Sequence, residues 1–437
     1  MDKPSVTVVG GGLAGCEAAY RIAETGLAVR IFEMRPNKNT AAHQTSYLSE
    51  LVCSNSLKSE DLSTSQGMLK GEMRLLKSLI LQCAQRCRVP AGSALAVDRD
   101  RLGQMITDAV EHHPLIEVVR EEIQEVPKDG AVVIATGPLT SDPLGNSLRK
   151  LTGAEYLYFF DAVAPVLAAD SIDDSKVYWG ARYGKGDDDY LNCPMDETEY
   201  NQFYDALIDA DSLPVDNVDK GLYFEGCMPI EVMARRGRDT LRFGPMRPVG
   251  LPDPKNGRIP YAVVQLRIEN FEKTMLSMVG FQTRMKWGEQ EKVLRLIPGL
   301  DKASFLRLGV MHRNTFINSP QLLYPTLEFR TRPALFFAGQ LIGVEGYMES
   351  AATGILAGIN ACRAVQERSS VILPEESMLG SLCRYISDPE KVNFQPMNAN
   401  FGLLPPLDHR ERNKKIRNTL LSERAIHAMS EFSESSN

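Results

Sequence analysis

The chain has little of what marks secreted, membrane or metal-binding proteins. No uninterrupted apolar run is long enough to span a bilayer. The first residues pass straight into a strand-like segment, with no charged stretch, apolar stretch and cleavage site in series, so a cytoplasmic protein with no membrane partner is expected. Eight cysteines, at positions 16, 53, 83, 87, 193, 227, 362 and 383, are too scattered for a disulfide framework and imply a reducing compartment. Cys83 and Cys87 share a helix-like spacing, but no nearby histidine or second cysteine pair completes a zinc set, and no metal is expected. A net charge of −7 excludes bulk attraction to nucleic acid, so any RNA partner needs a local basic surface.

What is present begins at residue 6. Val6, Val8 and Val9 suit a buried strand, Gly10, Gly12 and Gly15 fit G-x-G-x-x-G, and Leu13 to Ala23 reads as a helix. The first glycine permits a tight turn, the second lets backbone approach a pyrophosphate, and the third lets helix and strand pack closely. The helix N-terminus then presents unpaired N–H groups to the phosphates. A second strand, Ala28 to Phe32, delivers Glu33 about where a ribose-binding acid belongs. A dinucleotide site is therefore expected at the start of the chain.

At 437 residues, two unequal domains are expected. Arg35 to Ser65 reads as a polar loop, and Gly67 to Cys87 has the apolar spacing of one long helix. Asp98 to Val110 reads as a helix and Ile116 to Val119 as a strand. Ala131 to Ala135 is an apolar strand that empties into Thr136 and Gly137, followed by Pro138 and Pro143. From about 151 to 320 the texture changes to short apolar runs, aromatics and turns, the pattern of an α+β insertion. Pro333 to Gly339 is a further strand ending in glycine, ahead of Gln340 and a Gly-rich stretch, and Ser350 to Ala364 suits a small-residue helix. The expected class is α/β: a Rossmann-like nucleotide domain built from 1–150 and 321–437, interrupted by an insertion at 151–320. The polar tail after Met429 is expected to fray.

The acid at Glu33, the Ala-Thr-Gly strand and the late strand ending Ala338-Gly339 together resemble the FAD-binding pattern of glutathione-reductase-like flavoproteins. Gln340 departs from it, since many members carry Asp there; an amide still hydrogen-bonds hydroxyls. Outside the nucleotide fold, Leu51-Val-Cys53-Ser-Asn-Ser-Leu57, Gly226-Cys227-Met-Pro-Ile230-Glu231, Leu241 to Gly250, Val279 to Thr283, Met311 to Phe316 and Ala338 to Tyr347 are similar to the folate- and FAD-dependent tRNA uracil-5 methyltransferases, the TrmFO family, relatives of the GidA flavoproteins. The likeness runs from residue 5 to about 365.

That resemblance implies FAD as cofactor, 5,10-methylenetetrahydrofolate as one-carbon donor, NAD(P)H as reductant, and C5-methylation of uridine 54 in the tRNA T loop. It makes Gly10, Gly11, Gly12, Leu13, Ala14, Gly15, Glu33, Thr136, Gly137, Gly339, Gln340, Gly346 and Tyr347 the candidate FAD contacts. Tyr347 either stacks on a flat ligand or packs in the core. Uracil C5 is a poor nucleophile until a group adds at C6, and a thiolate suits that addition. Cys227 takes this role, beside Arg235, Arg236, Arg238, Arg242 and Arg247, which are candidates for holding RNA phosphates. Cys53 acts either as base toward C5 or as protection for the flavin-bound one-carbon unit. The remaining cysteines on expected helices read as core residues; Cys193, beside Pro194, reads as a loop residue open to solvent. Two alternatives stay open: the same chemistry on a ribosomal RNA uridine, and an FAD-dependent NAD(P)H oxidoreductase, which would want an adjacent cysteine pair beside the flavin.

Overall fold

The structure is a computed structural model that describes residues 6–40, 42–153, 157–184, 188–213, 228–391, 394–409 and 411–436. Five parallel strands form its first sheet, in the spatial order Leu335–Phe337, Ala131–Ile134, Val6–Val9, Val29–Phe32 and Ile116–Val119. Val132, Val133 and Ile134 are fully buried, as a parallel sheet covered on both faces requires. Each such side chain contributes roughly 1.5–3 kcal/mol of burial. The helix Leu13–Ala23 packs against the long helix Tyr347–Val365. Small residues set how close the two come: a Cβ at Gly354 would sit 2.1 Å from the Ala14 carbonyl oxygen. Residues from the two ends of the chain thus build one α/β layer and one core.

A second core lies under a six-stranded antiparallel sheet, ordered Tyr178–Trp179, Tyr190–Met195, Ala262–Ile268, Met275–Met278, Val166–Ala168 and Phe305–Arg307. The period-two pattern is plain where Leu191, Cys193 and Met195 pair with Leu266, Val264 and Ala262, all buried on one face. Helices Glu197–Asp209 and Trp287–Leu294 cover that face with Tyr200, Phe203, Leu207 and Val293. Strands Leu157–Ala162 and Met311–Phe316 pair antiparallel where the chain enters and leaves this part of the molecule. Val89 and Ala96, from the small sheet of Ser56–Ser59, Ala94–Val97 and Arg88–Val89, join the second core.

Four elements depart from expectation. The long helix at 67–87 is two helices, Ser65–Leu75 and Leu79–Arg86. Lys77 between them has φ +57°, and Ser78 caps the second helix by accepting from Leu81 N–H. Buried Glu17 completes the cap, accepting Leu79 N–H at 3.1 Å and Ile80 N–H at 3.0 Å. Cys193 is in a strand and fully buried. The loop at 35–65 holds a short strand, Ser56–Ser59. The tail after Met429 does not fray: Lys414–Ser436 is one helix, with Leu421, Ala425 and Met429 buried on the nucleotide domain. Those three apolar positions at a spacing of four supply the docking stripe.

Candidate functional site

A cleft of about 1040 Å³ opens at the carboxyl ends of the parallel strands, where ligands of open α/β sheets bind. Gly10, Gly11, Gly12, Leu13, Ala14, Glu33, Thr136, Gly137, Gly339, Gln340 and Tyr347 all line it. Gly15 and Gly346 do not; they shape it from behind. Gly10 has φ +106° and a Cβ there would lie 2.5 Å from the Ala135 carbonyl oxygen; at Gly15 it would lie 1.8 Å from that of Gly10. A Cβ at Gly12 meets nothing within 4 Å, because that side faces the cleft. Gly12 is also the cap residue of the Leu13–Ala23 helix and offers no side chain, leaving the helix N-terminus to a ligand. Gly346 caps the Tyr347–Val365 helix at φ +117°.

Glu33 is almost fully enclosed. It accepts Gly11 N–H on Oε2 at 3.0 Å, and Arg35 N–H and Nε on Oε1, both at 3.0 Å. Burial pushes its carboxyl up, but the hydrogen bonds and charge of Arg35 outweigh that and hold it below the ordinary range. Arg35 is 2% exposed and also reaches Glu50 at 3.2 Å. This arginine lines the cleft and was not expected there. No periodicity signalled it, since Arg35 lies in a turn beyond the strand Val29–Phe32. At the other end, Gln340 Nε2 donates to Glu345 at 2.7 Å, which orients the amide that replaces the usual Asp. His43 lines the cleft too, its Nδ1 2.6 Å from Thr40 Oγ1.

Tyr347 joins the cleft to the cysteine loop. It lines the cleft, while its hydroxyl accepts the backbone N–H of Cys53 at 2.7 Å and of Ser54 at 3.1 Å. Burial, with the neighbouring Cys53 second, pushes the phenol above its ordinary value, so it stays protonated. Cys53 is half-exposed, whereas every other cysteine among the described residues is buried. Burial pushes the thiols of Cys16, Cys83, Cys193 and Cys383 up to about 12, which makes them poor nucleophiles.

Cys227 lies outside the described residues. The segment from Met228 is anchored by Ile230 N–H to the Gln282 carbonyl at 2.7 Å, and by buried Glu231, which accepts from Thr283 Oγ1 and Arg284 N–H. The basic stretch that follows is largely engaged within its own domain. Arg235 donates to the Ile208 carbonyl, Arg238 to Asn201 at 2.8 Å while stacking on Tyr204, and Arg242 to the Tyr261 carbonyl with its guanidinium 3.5 Å from that ring's centre. Arg247 is exposed, and its carbonyl accepts from Arg182. No helix among the described residues is long and apolar enough to cross a membrane.

The split nucleotide domain, the glycine turn and the cleft define the FAD-binding Rossmann-like class of α/β proteins. The glycine turn with its uncapped helix fits a pyrophosphate. A family model described as glucose inhibited division protein A matches residues 5–369. Methylenetetrahydrofolate–tRNA-(uracil-5-)-methyltransferase TrmFO of Halalkalibacterium halodurans is 57% identical over 432 residues, covering 99% of each chain. Its counterpart from Brevibacillus brevis is 56% identical over 434 residues, again with 99% of each chain covered. The Aquifex aeolicus GidA structure superposes with a TM-score of 0.73 at 18% identity, covering all of this chain and 74% of that one, a likeness of fold. The chain belongs to the TrmFO family, within the broader group that the GidA model describes.

Proposed function

We propose that this chain transfers a one-carbon unit from 5,10-methylenetetrahydrofolate to C5 of a tRNA uridine, at position 54 in the T loop, and delivers it as a methyl group. The observation that carries this reading is identity of 57% over 99% of the chain to a protein named for that reaction. The cleft that reaches Cys53 through Tyr347 supports it.

The Gly10–Ala14 turn, Glu33, Thr136, Gly137, Gly339, Gln340 and Tyr347 would hold FAD. Bound and reduced, FAD supplies the carrier for the carbon and the electrons that take it to the methyl level. NAD(P)H would supply the reducing electrons, and with no second complete G-x-G-x-x-G in the sequence its nicotinamide would share the cleft lined by the Gly10–Ala14 turn. The T-loop uridine leaves its stack to reach the site. Cys227 adds as thiolate to C6, and the displaced electron pair makes C5 nucleophilic. Once C5 carries the methylene, Cys53 takes the C5 proton as the bond from that carbon to its carrier breaks, leaving an exocyclic methylene on C5; a hydride, which the reduced cofactor would supply when bound, adds to that carbon, and departure of the Cys227 thiolate restores the ring. The reaction belongs in the cytoplasm, where the thiols stay reduced.

Transfer of labelled carbon from methylenetetrahydrofolate to tRNA, with wild type, Cys53→Ala and Cys227→Ala, tests the reading. Both substitutions are expected to abolish methylated product; full transfer by Cys227→Ala removes the nucleophile assignment. Mass spectrometry of RNA from a deletion strain separates substrates: intact tRNA methylation with a lost ribosomal methyl group rejects tRNA.

A further inference from the structure

Cys53 sits in the segment 51–55, outside any helix or strand, so no ladder fixes its thiol. Side chains from distant elements hold the segment instead, and the thiol itself donates to the Ala162 carbonyl at 3.9 Å. Arg99, the first residue of helix Arg99–Glu111, donates to the Leu51 carbonyl at 3.4 Å. Arg307, at the end of an edge strand, donates to the Val52 carbonyl at 3.4 Å. Arg267, on the strand Ala262–Ile268, reaches Ser54 Oγ at 2.9 Å and Asn55 Oδ1 at 2.7 Å. Asn55 is fully buried and donates in turn to the carbonyls of Val97 and Ile268. The charges of Arg99 and Arg307 disfavour one another, and the buried carboxylate of Glu269 offsets them. Glu269, 2% exposed, lies 2.6 Å from Arg99 and 3.9 Å from Arg267. The cluster borders a second cavity of about 750 Å³, lined by Glu50, Leu51, Asp98, Arg99, Glu269 and Arg307.

We propose that Glu269 with the two arginines paired to it, Arg99 and Arg267, and Arg307 beside them, form a positioning device that sets the place of the Cys53 loop and so of its thiol. It draws its parts from both cores, so the thiol is aimed only when the two parts of the molecule are docked. The proposal rests on the reading that Cys53 takes part in the transfer. Glu269 itself touches no reacting atom and acts through the loop.

Glu269→Gln keeps the shape and removes the charge. In the FAD-loaded enzyme, kcat for carbon transfer is expected to fall about tenfold to a hundredfold, the range for a reacting group displaced by about an ångström, with KM for tRNA and FAD content unchanged. Removing the carboxylate loosens the arginines' hold on residues 51–55, so alkylation of Cys53 by iodoacetamide at a fixed pH, followed by peptide mass spectrometry, is expected to quicken while buried Cys193 stays unlabelled. Arg267→Lys keeps the charge and loses the fork; kcat is expected to fall with KM for tRNA in place. A merely structural role would lower stability and open the buried cysteines as well. A wild-type kcat in Glu269→Gln or in Arg267→Lys, or an unchanged Cys53 labelling rate in Glu269→Gln, overturns the proposal while Cys53→Ala is inactive. Full transfer by Cys53→Ala overturns the underlying reading instead, and the positioning role with it.

Discussion

The hydroxyl of Tyr347 accepts the backbone N–H of Cys53 at 2.7 Å across 294 residues of sequence, and Tyr347 lines the nucleotide cleft. One residue therefore borders the cleft and holds the cysteine loop. Tyr347→Phe should separate the two tasks. The ring remains, so FAD absorbance of the purified protein is expected to persist. The N–H groups of Cys53 and Ser54 lose their acceptor, at about 1–3 kcal/mol for each group left without a partner. The expected outcome is a kcat for carbon transfer reduced tenfold or more, by order of magnitude, at near-normal FAD content. Loss of FAD by Tyr347→Phe would show that the hydroxyl, not the ring, holds the cofactor.

Gly12 and Gly15 make opposite predictions. Added at Gly15, a Cβ would sit 1.8 Å from the Gly10 carbonyl oxygen, so helix and turn must separate; Gly15→Ala is expected to lower stability by about 3 kcal/mol or more. Added at Gly12 it meets nothing within 4 Å. Thermal denaturation of FAD-free Gly12→Ala is expected to match wild type within about 0.5 kcal/mol, while titration with FAD shows weakened binding. Unaltered FAD affinity in Gly12→Ala would remove the pyrophosphate from this turn.

Glu33 links stability to pH on the acid side. Its folded-state carboxyl lies below the ordinary value of 4.5, chiefly because Arg35 overcomes the effect of burial. The sign follows: its contribution is complete above 4.5 and is lost as pH falls through the lower folded value. Glu72 runs the other way. Burial raises it to about 8, against the N–H groups of Met378 and Leu379 that it caps. Its contribution is complete below 4.5 and is lost as pH rises toward 8. Melting temperatures at pH 5 and pH 8.5 check this, with Glu72→Gln expected to show a smaller alkaline loss than wild type. Arg35→Ala leaves Glu33 charged and buried, and is expected to cost about 3–5 kcal/mol.

Much of this was legible in the sequence where the signal is local. The strand, turn, helix and acid from Val6 to Glu33 lie in the expected order, and the Ala131–Ala135 and Pro333–Gly339 strands flank the same cleft. What was hidden arises from contacts between distant segments. The break at Lys77 depends on Glu17 reaching across from another helix, and the docked C-terminal helix depends on a core that its own polar composition does not announce. Arg99, Arg267 and Arg307 are separated by more than a hundred residues at their extremes, and no periodicity joins them. Cys193 read as exposed because Pro194 suggested a loop, yet the strand continues through that proline to Met195.

The cysteines supply a direct chemical check on this arrangement. A thiol raised to about 12, as at Cys16, Cys83, Cys193 and Cys383, is thiolate in roughly one molecule in ten thousand at pH 8, and burial blocks the reagent as well. Cys53 is half-exposed and sits in a loop. Brief iodoacetamide treatment of the native protein, followed by peptide mass spectrometry, is therefore expected to label Cys53 and leave those four untouched until denaturant is added. Addition of FAD to cofactor-free protein should slow labelling of Cys53, because a ligand packed on Tyr347 holds the loop whose backbone that tyrosine grips. Labelling of Cys193 at a rate matching Cys53 would contradict the buried strand, and an FAD-independent rate at Cys53 would uncouple the cleft from the loop.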